Sequence, residues 1–190
     1  MITPRESYAA RLEIDYPERL DRLTTLLRVI WIIPIAIVDS LLSGVLWFPT
    51  LLMIVFRQKY PRWWFDYACE LTRFGTRVGA YLALLTDRYP STDEEQSVHL
   101  ELDYPDAERD LNRWLPLVKW LLAIPHYVVL IVLWLIAIVA VVLAWFAILG
   151  TGRYPRALFD FVVGVARWSL RVDAYAFLLV TDRYPPFSLA

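Results

Sequence analysis

Apolar positions fall in the same order in each half of this chain. A short alternating segment comes first, Ala10-Arg-Leu-Glu-Ile-Asp15 and again Val98-His-Leu-Glu-Leu-Asp103, which predicts a half-buried strand. A long apolar run follows. Between Val29 and Phe56 the sole ionisable side chain is Asp39, and between Trp120 and Leu149 no Asp, Glu, Lys or Arg occurs. Each run exceeds the about 20 apolar residues that a transmembrane helix needs at about 1.5 Å of rise apiece. Membrane helices are therefore predicted over about 29–56 and 118–149, entered near Pro34 and Pro125. A basic loop closes each run, at 57–62 and at 152–156, and a second helix follows, over 63–85 and 157–180.

Exact words recur with the pattern. Leu12-Glu-Ile-Asp-Tyr-Pro17 returns as Leu100-Glu-Leu-Asp-Tyr-Pro105, and Thr86-Asp-Arg-Tyr-Pro90 returns as Thr181-Asp-Arg-Tyr-Pro185. Tyr60-Pro61-Arg62 answers to Tyr154-Pro155-Arg156. The chain is thus a duplication of a unit of roughly 85 residues, with the first repeat at 1–91 and the second at 92–190.

The second helices are the informative ones. At about 100° per residue, Asp66, Glu70, Arg73 and Arg77 fall within a stripe about 60° wide, and Asp160, Gly164, Arg167 and Arg171 occupy the same stripe in the second repeat. A spanning helix can hide so narrow a polar face inside a bundle, whereas a helix lying in the interface wants a broad one. Spanning is the expectation, with in-plane placement as the alternative. The fold class that follows is an all-α membrane protein. It has four transmembrane helices arranged as two parallel helical-hairpin repeats, with short β-strands on the terminal side, pairing across a pseudo-twofold. Gly75 and Gly79 lie opposite the charged stripe, where small residues suit close helix packing. The positive-inside rule favours cytoplasmic termini, since that side holds ten of the nineteen Lys and Arg residues.

Composition agrees with a membrane protein. Hydrophobic residues make up 58% of the chain, above the usual half of a soluble domain. Residues 1–7 lack the basic and apolar regions of a signal peptide. The net charge of −1 argues against nucleic acid as a partner. One cysteine, Cys69, excludes an internal disulfide. Neither His99 nor His126 has neighbours at zinc-ligand spacing, Gly150-Thr-Gly152 is no nucleotide loop, and the acidic connector 92–96 reads as a solvated linker. No catalytic constellation, metal site or cofactor is expected.

Charges inside a bilayer cost about 2.5–3.5 kcal/mol each and call for partners. Asp39 is expected to pair with Arg73 or Arg77 at matching depth, with Asp66, Glu70 and Asp160 as further members of the intramembrane charge set. Arg167 and Arg171 have only Asp160 nearby. They reach the first repeat, or they hold a lipid phosphate or a partner subunit.

In the second half, residues 145–156, Leu158-Phe-Asp-Phe161, Arg167-Trp168, Arg171-Val172 and 181–187 resemble a bacterial membrane family, the one catalogued as domain of unknown function 4389. The first half looks like a diverged copy, with Arg57-Gln-Lys-Tyr-Pro61 in place of Thr-Gly-Arg-Tyr-Pro. The resemblance implies a multi-pass protein of the bacterial inner (cytoplasmic) membrane and no established activity. The expected role is a non-catalytic accessory or scaffolding subunit of a larger membrane assembly, with membrane lipids and partner subunits as its contacts. The alternative is a lipid-binding or lipid-handling protein that uses Arg73, Arg77, Arg167 and Arg171, and a transporter component ranks behind both.

Overall fold

The computed structural model describes residues 8–43, 46–91 and 96–190. The segment read for a signal peptide, 1–7, and all but Gln96 of the acidic connector lie outside the described residues. In chain order the elements are β1 (Ala10–Ile14), α1 (Arg22–Ser43), α2 (Trp47–Arg57), α3 (Arg62–Leu82), β2 (Val98–Leu102), α4 (Pro116–Leu122), α5 (Ile124–Thr151) and α6 (Arg156–Ala176).

The alternating segments form the strands, and they pair with each other. β1 and β2 are antiparallel, with Leu12 opposite Leu100, its own counterpart in the repeat. The local twofold therefore passes between those two leucines. Ala10, Leu12, Val98 and Leu100 turn inward and are buried. Arg11 bridges Glu101 at 3.1 Å and Asp103 at 2.7 Å on the outer face. A lone two-stranded ribbon is marginal in water, so this one depends on the helices beneath it. The strands are exchanged: β1, from the first repeat, packs on α6 of the second, and β2 packs on α3 of the first.

Helices α3 and α6 start after Tyr-Pro, whose proline sits at the N-cap with its fixed φ and no N–H to leave unsatisfied. Each gives out at a left-handed leucine, Leu84 (φ 64°) and Leu179 (φ 58°), before the Thr-Asp-Arg-Tyr-Pro segment. Within the repeats, α1 packs on α3 and α5 on α6. Gly75 admits Asp39 of α1, whose carboxylate would lie 3.0 Å from an added Cβ. Gly164 likewise admits Leu189 at 3.0 Å. A Cβ on Gly79 would meet nothing within 4 Å.

Four transmembrane helices are not what forms. Among the described residues, one helix is long and apolar enough to cross a membrane, α5, with 22% of its most apolar stretch buried. The run expected as a single helix over 29–56 is divided, α1 ending at Ser43 and α2 beginning at Trp47. Pro34 lies inside α1 rather than at its entry, whereas Pro125 does stand in the first turn of α5. The helices expected over 63–85 and 157–180 are present as α3 and α6, but each carries five charged residues in 21 positions. At a few kcal/mol per charge, that is too many for a span. The hairpin reading thus ranked α3 and α6 with the apolar runs when their length came with far too polar a face.

Candidate functional site

The arginines of the stripe bind main-chain carbonyls. Arg73 on α3 donates to the carbonyl of Leu100 at 3.3 Å, and Arg167 on α6 donates to the carbonyl of Leu12 at 3.0 Å. These are matching bonds across the twofold, each from a helix of one repeat to the exchanged strand of the other. Arg77 donates to Ser91 O at 2.6 Å. Arg171 donates to Ser188 O at 3.2 Å and to Ala190 O. Burial is the main influence lowering the Arg171 pKa, and neighbouring Arg167 adds to it. Glu70 pairs with Arg73 within its own helix. Asp66 and Asp160 pair with Arg62 and Arg156, one turn back, at 3.1 Å in both repeats. Asp39 is placed over Gly75, on the face of α3 turned away from Arg73 and Arg77.

The Tyr-Pro tyrosines form a second set of cross-repeat bonds. Tyr16 donates to Tyr154 O, and Tyr104 donates to Tyr60 O at 2.6 Å. Tyr60 reaches Leu178 O at 3.1 Å, and Tyr154 reaches Ala83 O at 3.4 Å. Arg156 lies over the Tyr16 ring at 4.6 Å and Arg62 over the Tyr104 ring at 4.7 Å.

Two buried ion pairs escaped the sequence reading. Arg28, 1% exposed, pairs with Asp87, and Lys119, fully buried, pairs with Asp182 at 2.7 Å. Burial lowers the pKa of both cations, and the paired aspartate opposes it. Asp87 and Asp182 also receive the main-chain N–H of Asp21 (2.7 Å) and Asn112 (2.5 Å). The signal was available in the repeated Thr-Asp-Arg-Tyr-Pro words, where the aspartate recurs at a helix exit.

Helices α3 and α6 do not close on each other. Over the sheet they leave an open groove of about 650 Å³, floored by Leu12 and Ile14 and walled by Gly75, Gly79 and Ala80 on α3, by Ala83 just past its end, and by Ala166, Leu170 and Phe177 on the α6 side. That volume lies in the range of about 300–1,000 Å³ that suits a small ligand. Trp134 of α5 reaches the groove and donates to Ser169 Oγ at 3.0 Å. Polar groups are few: Thr72, Thr76, Ser169 and Asp173. Asp173 opens toward the groove, yet the apolar walls around it push its carboxyl up to about 7. The crowding by Leu130, Trp134, Val172 and Phe177 sets that direction, despite the open surface.

The other candidates are packing. His126 accepts a hydrogen bond from Trp168 Nε1 at 3.0 Å and stacks on Phe187 at 4.0 Å. Burial pushes the Cys69 thiol up, although Arg73 nearby opposes the shift. No group of three His, Cys, Asp or Glu is placed to hold a metal among the described residues.

Strand-exchanged tandem repeats that stitch each other by arginine and tyrosine bonds, with one helix of membrane-crossing length, define a duplicated helical protein. The family described as Domain of unknown function (DUF4389) matches residues 22–92 and 114–188, and the chain belongs to it, in two tandem copies. No curated protein and no solved structure matches the chain.

Proposed function

We propose that this is a non-catalytic lipid-binding protein of the bacterial inner membrane, which holds a lipid acyl chain in the groove between α3 and α6. The observation that carries the reading is the continuity of that groove with α5. Trp134 both lines the groove and lies on the helix whose exposed residues, Val128, Ile131, Leu135, Ile138, Val142 and Phe146 among them, are apolar on several sides. Water is a poor neighbour for such a surface, and a bilayer a good one. At about 1.5 Å per residue α5 is about 42 Å long, against a hydrocarbon thickness of about 30 Å. An acyl chain can therefore pass from lipid to groove without crossing water. The arginine stripe is not needed for this, since its guanidiniums serve main-chain carbonyls.

The test is photolabelling with a phospholipid that carries a diazirine on its acyl chain, in the purified full-length protein. Labels should map to Trp134, Leu170 and Phe177, and Gly79→Phe should reduce them about tenfold. The Gly79 position opens into the groove, so a side chain there fills it. Labelling that avoids those residues, or survives Gly79→Phe, would overturn the proposal.

An accessory or scaffolding role is the second reading. It draws on the same exposed face of α5, which a partner's membrane helix would cover as well as lipid does. Co-purification of a stoichiometric protein lost on polar substitution of Ile131 and Leu135 would favour it.

A further inference from the structure

At the carboxyl end of α5 three arginines, Arg19, Arg22 and Arg153, surround an open recess of about 460 Å³ beside Gly152 and Thr151. Among the described residues no carboxylate lines it. The end of a helix attracts one cation through its free carbonyls, and Arg22 answers that by donating to Gly150 O at 3.2 Å. Arg19 and Arg153 exceed what the helix end requires. The carboxylates of the adjoining recess are engaged elsewhere, Asp87 by Arg28 and Asp15 by His99.

The duplication supplies an internal control. Asp21 and Asn112 hold equivalent places, each giving its N–H to the aspartate of a Thr-Asp-Arg-Tyr-Pro word. Counting back from them, Arg19 corresponds to Asp110 and Arg22 to Arg113. Arg113 repeats the helix-end role at α2, donating to Val55 O at 2.6 Å and Phe56 O at 3.0 Å. Gly152 and Gln58 are both left-handed caps, so Arg153 corresponds to Lys59. The corner at α2 thus keeps its helix-end arginine but has Asp110 where the other has Arg19, with Asp106 and Glu108 beside it. The fold is built either way. Among the described residues the fold therefore makes no demand on the third cation of the α5 corner, which can serve a ligand.

We propose that Arg19, Arg22 and Arg153 bind the headgroup phosphate of an anionic phospholipid at the end of α5. This rests on the reading of α5 as a membrane helix, whose end reaches headgroup depth. Three guanidiniums around one recess offer the paired N–H donors that phosphate oxygens accept.

The experiment reconstitutes the full-length protein into vesicles of phosphatidylcholine with one-fifth phosphatidylglycerol, and counts by native mass spectrometry the lipid retained on extraction. Wild type should retain one phosphatidylglycerol in preference to phosphatidylcholine. Arg19→Gln with Arg153→Gln should lower that preference about twenty-five-fold, at about fivefold per surface cation, while inserting into vesicles as before. An unchanged preference in the double variant would overturn the site. Displacement of the lipid by millimolar inorganic phosphate would assign the recess to free phosphate and overturn the lipid. Failure of wild type to enter vesicles would instead overturn the membrane reading of α5.

Discussion

A single carboxyl shows how far a side chain's neighbours govern it. Asp173 faces the groove among Leu130, Trp134 and Phe177, and its pKa rises to about 7. Unfolded, it would titrate near 4. Between those values the unfolded chain has lost the proton that the folded one keeps, so stability falls as pH climbs from about 4 to about 7, by less than the whole shift implies because the carboxyl is open to solvent, and is level above. Asp173→Asn removes this penalty. Its melting temperature should exceed that of wild type by a few degrees at pH 8 and match it at pH 4, as thermal unfolding across that range would measure. The sequence shows Asp173 only as a polar residue off the stripe. Its environment comes from α5, which no local pattern places beside it.

At the level of elements, the aspartates that leave α3 and α6 hold the repeats' buried cations. Asp182→Asn would strand Lys119 as an unpaired buried charge, at a cost of about 3 kcal/mol. Asp87→Asn should do the same for Arg28. Replacing the pair together, Lys119→Met with Asp182→Leu, should cost less than Asp182→Asn alone, and equilibrium unfolding in urea would rank the three. A greater loss in the double variant would mean that the pair does more than neutralise charge. The strands, the second helices and the duplication were legible because alternation, Tyr-Pro and the Thr-Asp-Arg words are local. The spans were not. Hydropathy alone joined residues 29–56 into one helix, whereas the chain divides there into α1 and α2. The stripe arginines were legible as a set, and the reach of Arg167 into the first repeat was one of the expected alternatives, but the acceptor was not. Main-chain carbonyls of an exchanged strand leave no mark in composition or spacing.

The whole molecule is two halves that complete each other. Each lends a strand to the other's helix, and Arg73, Arg167, Tyr16 and Tyr104 fasten the loans with bonds between repeats. Residues 1–91 and 92–190 expressed as separate chains should therefore reassemble into a one-to-one complex when made together, and neither should give a stable product alone. Size-exclusion chromatography of the co-expressed halves would read this directly, and two independently folded halves would contradict the exchange. The exchange also shapes synthesis. Arg11 meets Glu101, its partner across the ribbon, only 90 positions later in the chain. At about 5–20 residues per second, β1 leaves the ribosome about 5–20 seconds before its partner exists. Through that interval the first half holds an open strand edge and an uncovered stretch of α3, which makes the nascent chain, rather than the finished protein, the form most in need of a chaperone.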